Sequence, residues 1–307
     1  MIHIRNFKAV DSDCEMRVDC HAESDADSAL ALVTEEVERI DAKYSCKRKQ
    51  SHWQQLVAKA GSGSGVAVDD ETARLLDMAE LGHTASEGLF DVTLSALFEI
   101  WSRHAACLPN ARAIAEAMSR SGWSRVGWQR PLLTLPDVGM RMDFGGLIKE
   151  YAADACISRL REHGFSSALV ALGDDVAACL KNNSYKPWQV DVRQSHGARN
   201  DPVRVEIKTG GIATRGDFDR CMVFNGIRYS HLLDPRTGWP VQGLASVSVV
   251  ASECVIAGVL ATTAMVRGPA RGPTWLERLD VQYLCTDSAG QRSGPLHPFT
   301  EQESGVA

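Results

Sequence analysis

The sequence predicts an α+β fold, with mixed or antiparallel sheets and helices packed against them. Strand patterns occur at mixed spacing with helices grouped around them, instead of the regular alternation that a doubly wound α/β sheet needs. Neither a G-x-G-x-x-G nor a G-x-x-x-x-G-K-[ST] phosphate loop occurs in the chain. A Rossmann or P-loop domain is therefore a poor interpretation.

The first half of the chain is predicted to begin with a strand pair over residues 2–21. Apolar residues at positions 29, 30, 33, 37 and 40 have helical spacing and predict a helix over 27–42, capped within 24–27. The remaining predictions are a flexible Gly-Ser loop over 61–65, a short strand over 66–68, and helices over 70–81 (with Gly82 just past the end), 92–104 and 109–118.

The second half is predicted to be richer in strands. A strong amphipathic helix covers 147–163 and ends at Gly164, and a late helix covers 253–265. The predicted strands are 141–144, 167–172, 188–193, 203–208, 211–214, 229–233, 246–251 and 281–286.

Composition excludes several classes of protein. The 307 residues carry 33 Lys and Arg against 39 Asp and Glu, a net charge of −6, so binding of nucleic acid through a basic surface is not expected. No apolar run reaches the roughly 18 residues of a membrane helix, and residues 1–8 lack a signal-peptide core. The 9 cysteines are scattered without metal-ligand spacing, which favours a cytoplasmic location.

The length allows one large domain or two smaller ones. We predict a single domain over 1–307, divisible into two lobes at about 1–140 and 141–300.

Two motifs in the first 154 residues have residues suited to chemistry. In Ser86-Glu-Gly-Leu-Phe-Asp-Val-Thr93 the Asp is predicted to cap the following helix, which taken alone is a structural role. In Asp143-Phe-Gly-Gly-Leu-Ile-Lys-Glu-Tyr-Ala-Ala-Asp154 a strand, a turn and a helix follow one another. Lys149 in the first helical turn opposes the helix dipole, so this motif is either an anion site, with the anion between the two, or an ordinary strand-turn-helix connection.

Two further motifs follow in the last third of the chain. Ala213-Thr-Arg-Gly-Asp-Phe-Asp-Arg220 is followed by Ser230-His-Leu-Leu-Asp-Pro-Arg-Thr-Gly238. Asp-Pro-Arg-Thr-Gly fits a type I turn. The His before that turn is suited either to a phosphate contact or to a structural role at a strand end.

In this order the four motifs resemble those of the ApbE family of FAD:protein FMN transferases. The family patterns are T-x-G-x-F-D-x-T, D-x-G-G-x-x-K-G-Y-A-x-D, A-T-S-G-D-Y-x-R and H-x-x-D-P-x-T-G, followed by A-D-A-L-A-T. The last pattern corresponds to Ala257-Gly-Val-Leu-Ala-Thr262. The resemblance extends from about residue 7 to residue 286 and implies an ApbE-like fold.

The resemblance also implies an activity and a site. Family members bind FAD and a divalent cation, usually Mg²⁺, transfer FMN to a Thr or Ser hydroxyl of a target flavoprotein, and release AMP. The residues implied to contact FAD are Leu89, Phe90, Asp91, Asp143, Lys149, His231 and Leu232. The implied metal ligands are the Gly146 carbonyl and the Thr262 hydroxyl.

Several departures from the family patterns concern the metal and the flavin. The family's metal-ligand Asp is Gly258 here, so Mg²⁺ binding is expected to be weak or lost. The family Ser of A-T-S-G-D is Arg215, its G-G-D is Gly173-Asp-Asp175, and its S-x-Y is Ser45-Cys-Lys47. Because residues four apart on a helix share a face, Gly258→Asp is expected to place a carboxylate beside the Thr262 hydroxyl.

Two explanations of these departures stay open, and with them three functions. Arg215 can replace part of the metal's charge and Asp174 or Asp175 can supply a carboxylate, or the site has lost activity. The first function is FMN transfer. The second is a catalytically impaired FAD-binding scaffold or regulator. The third is an FAD pyrophosphatase that uses water as the acceptor.

Overall fold

Fifteen strands, eight α-helices and a short 3-10 helix (Trp123–Arg125) are present in the part of the chain that the structure, a computed structural model, describes. That part comprises residues 1–60, 64–103, 107–137, 139–181, 186–193, 203–216 and 221–296. The helices are α1 (Glu23–Tyr44), α2 (His52–Ala60), α3 (Asp70–Ala85), α4 (Ser95–Arg103), α5 (Ala111–Ser119), α6 (Ile148–Glu162), α7 (Cys254–Arg267) and α8 (Gly272–Arg278). The strands are β1 (Ile2–Ala9), β2 (Ser12–Asp19), β3 (Val66–Ala67), β4 (Gly127–Gln129), β5 (Leu132–Thr134), β6 (Ala168–Leu172), β7 (Asp175–Cys179), β8 (Trp188–Val192), β9 (Val203–Ile207), β10 (Gly210–Gly216), β11 (Met222–Phe224), β12 (Ile227–Tyr229), β13 (Leu244–Ala251), β14 (Gln282–Asp287) and β15 (Arg292–Ser293).

An eight-stranded antiparallel sheet organises the chain, in the order β1-β2-β6-β7-β10-β13-β14-β15. Strand β2 of the first hairpin pairs with β6, so the sheet takes strands from both sides of residue 140. Helices α1, α6 and α7 contact the sheet and one another, and three smaller sheets hold the remaining strands. The predicted α+β class is confirmed.

An aromatic contact holds the chain just before α6. Trp53 of α2 and Phe144 are both fully buried, with ring centroids 4.4 Å apart. The Trp53 indole Nε1 donates a hydrogen bond to the Met142 carbonyl over 3.1 Å. Asp143 lies between Met142 and Phe144, which are both held by these contacts, so its position just ahead of α6 is fixed.

Helices α6 and α7 and strand β10 are joined at one point. Asp154 of α6 accepts hydrogen bonds from the backbone N–H groups of Cys254 (2.9 Å) and Val255 (3.0 Å), the first turn of α7. Strand β10 passes so near this turn that a Cβ at Gly211 would lie 2.2 Å from the Cys254 Cα. Only glycine permits that approach. The sequence motif shows Asp154, but only the tertiary structure shows that it caps another helix.

Two predicted strands are wrong. Residues 141–144 lie in a loop, because the Asp143 N–H bonds the Val92 carbonyl and the Met142 carbonyl bonds an indole, outside any strand ladder. The strand predicted over 229–233 ends at Tyr229, and the following residues form the turn region, where Leu232 N donates to the Ser230 hydroxyl.

Helix ends also differ from their predictions. Helix α3 continues through Gly82 to Ala85; at Gly82 a Cβ would lie 3.0 Å from Phe90 Cδ1 and 3.1 Å from Val259 Cγ1, so this glycine serves packing and does not end the helix. Helix α1 begins at Glu23, before its predicted cap, with Asp25 accepting from the Ala22 N–H. Of the predicted loop over 61–65, residues 61–63 lie outside the described residues.

Candidate active site

A cavity of about 720 Å³ opens where the first residues of α6, strand β10, helix α7 and two loops meet. Its volume lies within the roughly 300–1,000 Å³ range of cofactor pockets. Every residue that the resemblance implied for FAD or metal lines this cavity: Leu89, Phe90, Asp91, Asp143, Gly146, Lys149, His231, Leu232 and Thr262. Residues that are up to 173 positions apart in the sequence thus surround one space.

The loop after α3 presents Leu89, Phe90 and Asp91 to the cavity. The Phe90 N–H donates to the Ser86 hydroxyl over 2.8 Å, which turns the chain directly after the helix. The Asp91 carboxylate accepts hydrogen bonds from the Thr93 N–H (2.7 Å), the Thr93 hydroxyl (2.6 Å) and the Trp123 N–H (3.0 Å). The predicted helix-capping role of Asp91 is wrong, since α4 begins only at Ser95 and Asp91 instead closes its own loop.

The second loop leads into α6 and presents Asp143, Gly146 and Lys149. The Asp143 carboxylate accepts a hydrogen bond from the Gly145 N–H over 2.7 Å, a local turn that any strand-to-helix connection can use. Lys149 Nζ lies 2.9 Å from an oxygen of Asp175, which is fully buried at the start of β7. Lys149 thus has a carboxylate partner within the protein, while the predicted anion between Lys149 and the helix N-terminus stays a prediction.

The Asp-Pro-Arg-Thr-Gly segment positions His231 and Leu232. Gly238 N donates to the Asp234 carbonyl over 2.8 Å, and Val241 N donates to the Leu232 carbonyl over 2.9 Å. Burial alone would raise the pKa of Asp234, but hydrogen bonds from the Arg236 guanidinium and N–H outweigh burial and lower that pKa. Asp234 is therefore ionised, and its hydrogen bonds close the turn that follows His231 and Leu232.

A buried charge cluster lies at the inner end of the cavity. We call it the Arg215 cluster and define it as Arg215, Glu150, Asp175 and Lys149. Arg215 Nη1 donates to Asp175 over 2.8 Å, and Arg215 Nη2 forms an ion pair with Glu150. Glu150 and Asp175 are 0% exposed and the Arg215 side chain is 11% exposed, so the cluster is shielded from water on most sides.

Arg215 also contacts Thr262, one of the two implied metal ligands. Its Nε donates to the Thr262 hydroxyl over 3.3 Å, and its Nη1 donates to the Thr214 carbonyl over 3.2 Å. The sequence analysis singled out Arg215 and Asp175 but missed Glu150. A signal was present, since the K-G-Y of the family pattern is Lys149-Glu-Tyr151 in this chain.

The implied divalent cation does not fit these residues. Mg²⁺ binds oxygen ligands at about 2.0–2.1 Å, and the Thr262 hydroxyl already accepts a hydrogen bond from the cationic Arg215 guanidinium, which would repel an ion placed beside it. The two carboxylates that contact Arg215, those of Glu150 and Asp175, are already paired with cationic side chains, and the Asp174 carboxylate lies 3.8 Å from the Arg193 guanidinium. Within the described ranges, no group of three or more His, Cys, Asp or Glu side chains is arranged to hold a metal.

The space beside Gly258 is filled as well. A Cβ built at Gly258 would lie 2.6 Å from Glu150 Oε1, 3.0 Å from Glu150 Cγ and 3.1 Å from Arg215 Nη2. Gly258→Asp alone would therefore add a carboxylate beside Thr262 only if the Glu150 side chain shifts. Glu150 already places its carboxylate against that position.

The fold and the cavity define a class, an α+β protein in which strand β10, helices α6 and α7 and two loops border a cofactor-sized cleft. Its sequence is 30% identical over 260 residues to the FAD:protein FMN transferase of Treponema pallidum (strain Nichols), covering 78% of this chain and 72% of that protein. It is 26% identical over 253 residues to the FAD:protein FMN transferase of Haemophilus influenzae, covering 76% and 72%.

Solved structures are similar over nearly the whole chain. The ApbE protein from Thermotoga maritima superposes with a TM-score of 0.85 at 25% identity, covering 99% of this chain and 98% of its own. The apo form of Pseudomonas stutzeri flavinyl transferase ApbE gives 0.82 at 25% identity, covering 95% and 93%. The sequence profile of the ApbE family matches residues 10–285. This chain belongs to the ApbE family.

Proposed function

We propose that this protein binds FAD in the cavity and transfers its FMN half to a Thr or Ser hydroxyl of a target flavoprotein, with release of AMP. One observation carries the proposal: residues from five separate motifs line a single cofactor-sized cavity. Of the motif over 213–220, residues 217–220 lie outside the described part of the chain. The family membership and the transferase names of the relatives support it.

The proposed roles follow from what each segment presents. Leu89, Phe90 and Leu232 offer apolar contacts suited to an aromatic ring system, since each lines the cavity. Asp143 and His231 offer polar groups for the hydroxyl and ring heteroatoms of the dinucleotide. Lys149 and Arg215 line the cavity, and we propose that their N–H groups donate hydrogen bonds to the pyrophosphate, because catalysis of phosphoryl transfer rests mainly on positioning and charge stabilisation.

In the proposed reaction the acceptor's hydroxyl oxygen attacks the phosphorus that bears the flavin. A bond forms between that oxygen and phosphorus, the bond from phosphorus to the bridging oxygen breaks, and the bridging oxygen leaves with AMP. The hydroxyl proton is released, so the products are AMP and a phosphoester-linked FMN. No redox change occurs at the flavin.

We propose further that one domain carries this activity, since the eight-stranded sheet takes strands from both halves of the chain. We also propose a cytoplasmic location, supported by 9 scattered cysteines without framework spacing. Among the described residues, no helix is both long and apolar enough to cross a membrane.

The test is a titration of the purified protein with FAD and with FMN, followed by flavin fluorescence, and an assay with a flavoprotein acceptor. FAD is expected to bind more tightly than FMN, and the acceptor is expected to gain the mass of FMN while AMP appears in equal amount. Lys149→Ala is expected to weaken FAD binding by about 1–3 kcal/mol through a lost charge-assisted contact. Lys208→Ala, an exposed lysine at the end of β9, is the matched control.

Three outcomes would contradict the proposal. FAD binding without AMP release would indicate a scaffold or regulator. Release of AMP and free FMN without an acceptor would indicate a pyrophosphatase. Equal FAD affinity in the wild type and Lys149→Ala would show that the dinucleotide lies elsewhere.

A further inference from the structure

We propose that the Arg215 guanidinium, held by Glu150 and Asp175 against Thr262, takes the place of the divalent cation, so that this chain binds FAD without a metal. The inference rests on the proposed function and adds to it the source of positive charge in the site. It concerns the Arg215 cluster, where the cavity meets α6, β10 and α7.

The first argument is the set of partners around Arg215. A guanidinium carries five N–H donors in a fixed plane. Here those donors reach the Asp175 carboxylate, the Glu150 carboxylate, the Thr262 hydroxyl and the Thr214 carbonyl. These are oxygen atoms on several sides of one cationic centre, the kind of surroundings that a hard metal ion would otherwise have. The guanidinium thus occupies the coordination space.

The second argument is that three departures from the family patterns meet in space. Position 150 has Glu where the pattern has Gly, position 215 has Arg where it has Ser, and position 258 has Gly where it has Asp. The three positions are far apart in the sequence, yet the Glu150 carboxylate fills the place next to Gly258 and pairs with Arg215. The carboxylate is thus carried by α6 in this chain, as Glu150, and not by α7 as in the family pattern. The Arg215 side chain provides a cation beside it.

The third argument is charge. The two carboxylates of the Arg215 cluster are matched by the two cations Lys149 and Arg215, each within 2.9 Å of Asp175. In the absence of flavin, a divalent ion added beside these paired charges would bring further positive charge into a site of low dielectric, which is unfavourable. Conversely, removing Arg215 takes away a cationic partner of both Glu150 and Asp175, two carboxylates that are 0% exposed.

The fourth argument concerns Thr262. Its hydroxyl oxygen accepts a hydrogen bond from Arg215 Nε, as it would offer a lone pair to a metal. The hydroxyl proton is then available to a phosphate oxygen in the cavity, which Thr262 and Arg215 both line. The Thr262 hydroxyl thus offers a lone pair to a cation as it would to a metal, but here that cation is the Arg215 side chain.

The test uses three forms of the full chain: the wild type, Arg215→Lys, and the triple variant Glu150→Gly/Arg215→Ser/Gly258→Asp, which rebuilds the family pattern. Mn²⁺ binding without flavin is followed by electron paramagnetic resonance, and FAD binding is titrated in chelator and in millimolar Mg²⁺. The wild type is expected to bind FAD equally in both conditions and to hold no Mn²⁺. The triple variant is expected to bind Mn²⁺ and to gain FAD affinity with Mg²⁺ by about tenfold or more, an effect as large as that of the outer partners of a metal site.

Arg215→Lys keeps the charge while losing the planar fork, so it is expected to remain independent of metal with weaker FAD binding. It keeps the test decisive if the triple variant does not fold, because metal-dependent FAD binding in Arg215→Lys would overturn the proposal. So would Mn²⁺ binding by the wild type, or loss of wild-type FAD affinity in chelator. If the wild type binds no FAD in either condition, the proposed function fails, while the Mn²⁺ measurement still decides whether Arg215 excludes a metal.

Discussion

Gly258→Ala tests most directly whether Glu150 fills the space beside α7. Gly258 lies in the interior of α7 and is buried, so Ala should favour the helix by about 1 kcal/mol. Against this, the new Cβ would lie 2.6 Å from Glu150 Oε1 and 3.0 Å from Glu150 Cγ. Glu150 is 0% exposed and paired with Arg215, so it has little room to move.

Overpacking of this kind costs about 1–3 kcal/mol. We therefore expect Gly258→Ala to lower the free energy of unfolding by about 1 kcal/mol in the wild type. In the Glu150→Ala background the obstructing atoms are gone, and the same substitution should raise the free energy of unfolding by about 1 kcal/mol. The double-mutant cycle should thus give a coupling of about 2 kcal/mol between the two positions.

The assay is urea denaturation followed by tryptophan fluorescence, with the four proteins measured at one pH and the midpoint and slope fitted for each. Arg215 Nη2, 3.1 Å from the new Cβ, is the far end of a flexible side chain and can adjust in either background. If Gly258→Ala stabilises both backgrounds equally, the space beside Gly258 is open and the argument built on Glu150 fails.

Two other substitutions test the framework of the site. Burial raises the pKa of Asp154 to about 6, although the N–H groups of Cys254 and Val255 act to lower it. Because the folded-state pKa lies above the unfolded value, this group adds stability at low pH that is lost as pH rises through about 6. Urea denaturation at several pH values should therefore show that the free energy of unfolding depends less on pH in Asp154→Asn than in the wild type. The same pH dependence in both proteins would contradict this. Asp91→Ala leaves the N–H groups of Thr93 and Trp123 without their acceptor, so it should lower the free energy of unfolding by about 2–3 kcal/mol and weaken FAD binding. Asp91→Asn, which keeps one acceptor oxygen, should lose less in the same two assays, and equal behaviour of both variants would refute the role of that carboxylate.

The sequence by itself determined the fold class, most of the elements and the motifs that line the cavity. Helical periodicity with a following glycine located α6, which ends at Glu162 close to the predicted 163, with Gly164 at a φ of 90°. Alternating burial located β8 and β9 within one residue of their predicted ends. These patterns are local, because each depends only on which side chains face the core within one element.

The tertiary structure decided where backbone groups find partners that are distant in the sequence. Residues 141–144 have strand-like composition, yet their hydrogen bonds go to Trp53 and to the loop at Val92. Asp154 caps a helix that begins 100 positions later. A single sequence gives no local signal for such bonds, because the donor and the acceptor meet only after the chain has folded.

The same reason explains what happened at the metal position. The sequence motif revealed that a carboxylate is missing at 258 and that a cation is added at 215. Only the structure shows that Glu150, on another helix, fills the space beside Gly258 and neutralises Arg215. The sequence shows which charged side chains are present. The packing of α6 against α7 and β10 decides which of them are paired, and this pairing decides whether a metal ion fits there.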